Sequence, residues 1–319
     1  MNYKSLDSEF YYGLENYDEK HIAMIPKSDV HNHAGRGGKI EDLSSDILPA
    51  DKPFASLDEM QAWFDKNVKA RLASGIEGYL IRVEASFKQA NMDNIKKLAL
   101  SFGSGEVYAL GGIERFTSII DSFKQRYIPD SEFIPELSLL RSNISSEEIS
   151  EVKEIISYGW FKSLDICGNE HAAPVSNYRL LYRYAKSKEL LLKAHVGEFG
   201  TAEDVVRAVD LLELDEVHHG IAAADSRECM SYLEKNKIIL NVCPMSNIML
   251  KRVENYENHP IRKLYDSGVP ITINTDDLTI FNATVTDEYL NLFKKKVFSK
   301  KELNEIRLGG LRSYGKYDK

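Results

Sequence analysis

Short apolar runs alternate along the chain with longer stretches that carry charged residues at helical spacing. Runs rich in Val, Ile and Leu are typical of buried strands, and the sequence contains eight of them. Their bounds are 28–34, 106–113, 133–140, 161–167, 190–197, 215–221, 238–244 and 269–275. Strands that alternate with helices predict parallel βαβ units. Eight such units predict an α/β fold, a (β/α)8 TIM barrel with additional helices.

The stretches between the strands carry helix signals. Residues 56–75 begin with a Ser and Asp cap region and end at Gly75, and residues 201–214 open with Thr201 and acidic residues, which favours a helix start. Residues 78–87 are apolar enough for a strand, but we place them in or beside a helix. An open, doubly wound sheet is the alternative fold. It calls for a glycine-rich phosphate loop after the first strand, and HAGRGG at 33–38 does not match GxGxxG.

The length of 319 residues fits one barrel with appended segments. We find no linker, repeat or change of composition that marks a boundary. The sequence therefore predicts a single domain over 1–319, with residues 1–24 as an N-terminal helical extension and residues 306–319 as a C-terminal tail.

Composition narrows the class of partner. The net charge of −8 disfavours a phosphate backbone, so we expect no nucleic-acid partner. No apolar run is long enough for a membrane span, and the first residues do not resemble a signal peptide. The three cysteines form no CxxC, which favours a reducing cytoplasm. These features together favour a cytoplasmic protein with a small-molecule partner.

Histidines and acids gather at the predicted carboxyl ends of the strands, where a barrel of this type has its active site. Five of the eight histidines fall there. These strand-end residues are His31, His33, Asp165, Gly168, His195, Glu198, His218, His219, Asp276 and Asp277.

Three imidazoles and one carboxylate form a ligand set that suits zinc: His31, His33, His195 and Asp276. We expect one ion per chain, with iron or manganese as alternatives. A catalytic zinc keeps a position for water and lowers the pKa of that water.

The neighbouring polar groups suit proton transfer. Glu198 is placed to act as an acid or base, His219 to hold or deprotonate the water, and Asp277 to accept a hydrogen bond from substrate. Each also has a structural interpretation, as a loop acid, a helix cap or a buried histidine. Strand alternation puts His218 on the opposite face from His219, so we interpret His218 as structural. His259, before Pro260, is interpreted as a helix-start residue.

Six segments resemble, in order, the motifs of the adenosine deaminase family. They are IPKSDVHNHAG, SLDICGNE, KAHVGE, EVHHGI, NVCPMSN and HPIRKLYDSGVPITINTDD, and they span residues 25–277. The resemblance implies a metal-dependent barrel that hydrolyses the 6-amino group of an adenine ring to a 6-oxopurine and ammonia.

The resemblance also implies roles for individual residues. The metal ligands are His31, His33, His195 and Asp276. Glu198 protonates ring nitrogen N1, and His219 orients the hydroxide and stabilises the developing charge. Asp277 contacts N7 and the backbone of Gly168 contacts N3, while Ser246 and Asp165 support the ligands.

The chain departs from the family after its second histidine. The family usually has Leu-Asp-Gly there, and its acid binds the ribose, whereas this chain has Ala34 and Gly35 followed by Arg36. Arg36 among glycines could bind a 5′-phosphate, which would make the substrate a nucleotide or modified nucleoside. The alternative is a solvent-facing loop arginine. Residues 54–64 carry apolar side chains at helical spacing and form either a gate over the pocket or a buried face.

Two other functions remain open at this point. One is a related mononuclear-metal amidohydrolase that acts on another amino-heterocycle. The other is a non-catalytic barrel that only binds its ligand, which the presence of Glu198 and the complete ligand set disfavours.

Overall fold

A computed structural model describes residues 6–312 as a barrel of eight parallel strands. Each strand pairs with the next in chain order. The barrel closes beyond the strand ends, where Asn32 bridges Asp276. The predicted (β/α)8 barrel is therefore confirmed. The strands are β1 (Lys27–Asp29), β2 (Ile95–Gly103), β3 (Glu132–Leu140), β4 (Ser163–Cys167), β5 (Leu191–Val196), β6 (Glu216–His219), β7 (Ile239–Val242) and β8 (Ile271–Ile273).

Helices surround the barrel, and many begin at a Ser or Thr whose hydroxyl accepts a backbone N–H of the first turn, as at Ser56 and Thr201. No helix in residues 6–312 has the length and apolar character needed to cross a membrane. The helices are α1 (Asp7–Glu15), α2 (Glu19–Ala23), α3 (Ile40–Leu43), α4 (Leu57–Asn67), α5 (Gly75–Met92), α6 (Ser104–Ala109), α7 (Ile113–Tyr127), α8 (Ser146–Ser157), α9 (Arg179–Ser187), α10 (Ala202–Leu212), α11 (Arg227–Asn236), α12 (Pro244–Met249), α13 (Ile261–Asp266), α14 (Leu278–Phe281), α15 (Val285–Lys294) and α16 (Lys300–Leu311).

The second strand was wrongly placed by the sequence pattern. Residues 106–113 were expected to be a strand, but they contain the end of α6 and the start of α7, and β2 is Ile95–Gly103. The Glu106 carboxylate accepts the Gly103 N–H at 2.9 Å and so caps α6. The lysines of β2 obscured its apolar pattern, and pairing with β1 and β3 overrides that pattern. Residues 78–87 lie within α5, as expected.

The expected C-terminal tail is also partly helical. Residues 306–311 complete α16, which packs against β1 and β8. Arg307 is fully buried and donates to the carbonyl of Pro26 at 3.0 Å. Helix α16 therefore covers part of the barrel wall rather than leaving it. At the other end, α1 and α2 occupy 7–23, and the rest of both predicted terminal segments, 1–5 and 313–319, lies outside the described residues.

The interior of the barrel is polar beneath the strand ends. Lys193 lies 2.9 Å from Glu136 and 3.3 Å from Glu216, and His218 Nε2 lies 3.0 Å from Glu136. All four side chains are buried. Because buried charges are costly unless paired and hydrogen-bonded, this network fixes the positions of its members.

A separate apolar cluster lies beside the mouth of the barrel. Phe54, Met60 and Phe64 are buried there against Ile280 and Phe281 of α14. The helical spacing of residues 54–64 therefore builds a buried face in this structure. That face holds α4 against α14, which starts directly after Asp277.

Candidate metal centre

Loops after β1 and β8 and the end of β5 bring the expected ligands together. His31 Nε2 lies 3.0 Å from His195 Nε2 and 3.6 Å from Asp276 Oδ1. His33 Nε2 lies 3.3 Å from the same Asp276 oxygen. The four side chains thus converge although they are up to 245 positions apart in the chain.

The outer nitrogens of two histidines fix which ring nitrogen faces the centre. His31 Nδ1 is 3.1 Å from the carbonyl of Asn241, and His195 Nδ1 is 3.0 Å from Asp165. Both partners only accept, so each neutral ring carries its proton on Nδ1. The two Nε2 lone pairs then face each other at 3.0 Å. A cation between them removes that repulsion, so the residues fit a divalent ion.

Further contacts orient these ligands. Asp165 also accepts a hydrogen bond from Ser138 at 2.9 Å, and Ser246 donates to Asp276 Oδ2 at 2.6 Å. Such outer partners orient metal ligands and raise their basicity. The positions of Asp165 and Ser246 agree with the supporting roles expected from the resemblance.

His219 also reaches the cluster. One ligand atom from each of His31, His195, His219 and Asp276 lies within 4.8 Å of the others. Distance alone therefore leaves two possible ligand sets, with either His33 or His219 as the third histidine.

The expectation that His218 faces away from His219 was wrong. The His218 ring stacks on His31 with centroids 3.9 Å apart, and the His219 ring lies 4.6 Å from His31. His219 has a left-handed backbone, with φ of 61°, and so does Asp276, with φ of 59°. Left-handed residues interrupt the alternation of a strand, and successive side chains can then meet in one place.

Burial and neighbouring charges shift the pKa values of the centre. Burial lowers the pKa of His31 well below its ordinary value and that of His219 to about 3. Burial opposes protonation of His33 too, but its hydrogen bond to Asp276 and the charges of Asp277 and Asp276 together outweigh this and raise its pKa to about 9. The pKa of Glu198 is raised well above its usual range by burial, followed by the charges of Asp276 and Glu170.

Two carboxylate oxygens beside the cluster are buried without a hydrogen-bond partner among the described residues. They are Glu198 Oε1 and Asp277 Oδ1. Glu198 Oε2 lies 3.6 Å from His219 Nε2. A buried polar atom without a partner is costly, so both oxygens are suited to a bound ligand.

The second oxygen of Asp277 is held by Arg36. Arg36 Nη1 donates to Asp277 Oδ2 at 2.7 Å, and Nη2 donates to Gln61 Oε1 of α4 at 2.5 Å. The guanidinium also lies over the ring of Phe64 at 4.6 Å. Arg36 is thus neither a free loop residue nor an open anion site, since it links α4 to Asp277. Its side chain keeps 23% exposure.

Sequence reasoning assigned no role to Glu170, which holds the loop that carries Glu198. Its carboxylate accepts the backbone N–H groups of Gly197, Glu198 and Phe199 at 2.7–2.8 Å. The signal available was its place in SLDICGNE, but its partners lie 27–29 residues away. Gly168, at the end of β4, has a left-handed φ of 88° that favours glycine.

Comparison with known proteins gives a consistent family. The family model described as adenosine deaminase matches residues 137–314. A Treponema pallidum protein named "Putative adenosine/adenine deaminase" is 29% identical over 84% of this chain and 91% of its own length. The adenosine deaminase of Clostridium acetobutylicum is 36% identical, but that match spans 47% of this chain and 45% of that protein.

A solved structure shows the same fold. The adenine deaminase of Arthrobacter aurescens superimposes with a TM-score of 0.77. The superposition covers 92% of this chain and 94% of that one, at 19% sequence identity.

Proposed function

Because the chain belongs to the adenosine deaminase family, a metal-dependent family of hydrolases that act on C–N bonds in cyclic amidines, we propose that it removes the 6-amino group of an adenine ring with one zinc ion. Water adds at C6, ammonia leaves, and the product is the 6-oxopurine. The observation that carries this proposal is the pair of buried, unpartnered oxygens, Glu198 Oε1 and Asp277 Oδ1, beside the His and Asp cluster.

His31, His33, His195 and Asp276 would hold the ion. Nitrogen and carboxylate donors in this number suit zinc. When bound, zinc supplies Lewis-acid activation of water near neutral pH. Asp165 and Ser246 keep His195 and Asp276 turned towards the centre.

Glu198 supplies the proton. Its raised pKa favours the protonated carboxyl, and its unpartnered oxygen can then donate to ring nitrogen N1. Protonation at N1 draws electrons from C6 and makes that carbon more electrophilic. His219 lies 3.6 Å from Glu198, so it can contact the oxygen that adds to C6.

Asp277 and Gly168 would bind the ring, at N7 and N3, and Arg36 would act on the substrate through Asp277. Arginine remains charged, and Arg36 Nη1 donates to Asp277 Oδ2 at 2.7 Å. The free Asp277 oxygen is then an acceptor and pairs best with an N–H of the imidazole ring. Free adenine can present such an N–H, whereas the N7 of a nucleoside cannot. This contact favours adenine over adenosine, and a 5′-phosphate would have to approach the exposed edge of Arg36.

Ammonia release by zinc-loaded protein tests the proposal. Adenine, adenosine and adenosine 5′-monophosphate are compared with the wild type, with Glu198→Gln and with Glu203→Gln, an exposed glutamate on α10. We expect the wild type to turn over an adenine compound. Glu198→Gln should lose roughly 10²-fold or more of that activity, whereas Glu203→Gln should keep the activity of the wild type.

Four results would contradict parts of the proposal. If zinc-loaded protein releases no ammonia from any of the three compounds but deaminates another amino-heterocycle, the adenine assignment is overturned. Full activity of Glu198→Gln would overturn the role of Glu198. A preference for adenosine would overturn the argument for the free base, and a preference for the monophosphate would restore Arg36 as a phosphate contact.

A further inference from the structure

A line of buried polar groups runs from the start of α13 to His219. The backbone N–H of Ile261 donates to His259 Nδ1 at 3.0 Å. His259 Nε2 lies 3.2 Å from Asn247 Oδ1, and Asn247 Nδ2 lies 3.2 Å from His219 Nδ1. The three side chains are 0–3% exposed. From the sequence we interpreted His259 as a helix-start residue, and its Nδ1 does contact the first turn of α13. Its other ring nitrogen, Nε2, continues the line towards the metal centre through Asn247.

The direction of every hydrogen bond in this line follows from its first member. A backbone N–H can only donate, so His259 Nδ1 must accept and carries no proton. The single proton of a neutral His259 is then on Nε2, which donates to the Asn247 oxygen. The Asn247 amide nitrogen is left to donate to His219 Nδ1. His219 Nδ1 therefore carries no proton, and the proton of the neutral His219 ring is on Nε2.

The opposite arrangement is excluded by the same backbone group. A proton on His219 Nδ1 would need the Asn247 amide to turn over and present its oxygen. The amide nitrogen would then face His259 Nε2, and the His259 proton would move to Nδ1. That proton would oppose the Ile261 N–H across 3.0 Å. Two donors would face each other in a buried place, and one hydrogen bond would be lost.

We propose that His259 and Asn247 are positioning residues that hold His219 as its Nε2–H tautomer, so that His219 donates a hydrogen bond into the centre and is neither a metal ligand nor a general base. The inference deepens the proposed function and rests on it for the chemical role of His219. A metal ligand or a base would need a free lone pair on Nε2. The ligand set is then His31, His33, His195 and Asp276, and His219 stabilises the charge that develops on the oxygen added to C6.

Burial supports this arrangement. It lowers the pKa of His259 to about 3, so the ring is neutral as the hydrogen-bond directions require. The directions themselves stand on donor and acceptor chemistry and on distances.

The tautomer can be read without substrate. Protein with ¹⁵N-labelled histidine is studied by long-range ¹H–¹⁵N correlation, both free of metal and loaded with zinc, and His219 is identified by the signals lost in His219→Gln. We expect a protonated Nε2 and a bare Nδ1 in both forms. A proton on Nδ1 with a bare Nε2 in either form overturns the proposal. This measurement stays valid if adenine compounds are not the substrate, so the two proposals fail separately.

Asn247→Asp supplies the matched kinetic test, because a carboxylate has the shape of the amide but only accepts hydrogen bonds. The value of kcat should depend on whether His219 Nε2 carries a proton, whereas KM and the amount of bound zinc should not change. We expect a loss of about 10²-fold in kcat where the spectra show Nε2 bare, and retained kcat where they show Nε2 still protonated. The reverse pairing overturns the proposal, since a base would work best with Nε2 bare.

Three further variants complete the test. Asn255→Asp makes the same chemical change on the neighbouring turn, where the side chain only accepts from the Asn258 N–H at 2.9 Å. We expect wild-type kcat and an unchanged His219 tautomer there. His259→Gln keeps an N–H that can reach Asn247, and should keep the tautomer better than His259→Leu does. Equal spectra of His219 in wild type and His259→Leu would overturn the role of His259.

Discussion

The contacts of Glu170 predict that Glu170→Gln loosens the loop that carries Glu198. Glu170 Oε2 accepts the Gly197 N–H at 2.8 Å, and Oε1 accepts those of Glu198 and Phe199 at 2.8 and 2.7 Å. Glutamine has one acceptor oxygen, so it keeps at most two of these bonds, and its NH₂ group then opposes the Gly197 N–H. A hydrogen bond to a charged group contributes roughly 1.5–3 kcal/mol.

The lost bond and the weakened pair together set the size of the effect. We expect the free energy of unfolding to fall by about 3 kcal/mol, and Tm to fall by roughly 4–5 °C for a chain of this length. Thermal unfolding of zinc-loaded protein measures this, with Glu203→Gln as the control. Gly200→Ala disturbs the same contact independently, because a Cβ there would lie 2.7 Å from Glu170 Oε2.

The same substitution should change the pH profile. The pKa of Glu198 is raised by burial, then by the charges of Asp276 and Glu170. Glu198 acts in its protonated form, so kcat/KM falls as the pH rises through its pKa. Removal of the Glu170 charge lowers that pKa and moves the basic limb to lower pH. A limb that stays in place or moves to higher pH, or a Tm within 1 °C of the wild type, would refute this account of Glu170.

Two other substitutions give sharp outcomes. Burial raises the pKa of Glu288 to about 8, whereas the carboxyl of the unfolded chain ionises near its ordinary pKa of 4.5. As the pH rises between these two values, the folded state therefore loses roughly 1.4 kcal/mol of stability per pH unit. Glu288→Gln cannot ionise and can still pair with Tyr256, so its Tm advantage over the wild type should grow up to about pH 8, and a constant difference would contradict this. Asp165→Asn removes the charge that holds His195 Nδ1. Competition with a chelator should then show a metal affinity about 10- to 100-fold weaker, and an unchanged affinity would argue against Asp165 as a support of His195.

Local pattern was sufficient for most of the barrel. Strands in a parallel barrel are short and buried on both sides, so they appear as apolar runs between turns, and runs such as 190–197 enclose β5. The pattern failed at β2, where two lysines interrupt the run. The Lys97 ammonium group donates a hydrogen bond at 2.9 Å to the backbone carbonyl of Arg312, which lies 215 residues later in the chain. Only the folded chain supplies that partner, and no local pattern contains it.

The sequence by itself determined which residue types stand at the strand ends and in what order. His31, His195 and Asp276 follow from local motifs, because a parallel barrel brings all its carboxyl strand ends to one rim. Tertiary structure decided what those residues can do. The left-handed backbone at His219 turns its side chain into the centre. Asn247 links His219 to His259, and Glu170 binds the loop of Glu198, so both contacts join groups far apart in sequence. Tautomer, charge and hydrogen-bond direction depend on such partners and on burial, which a linear pattern does not encode.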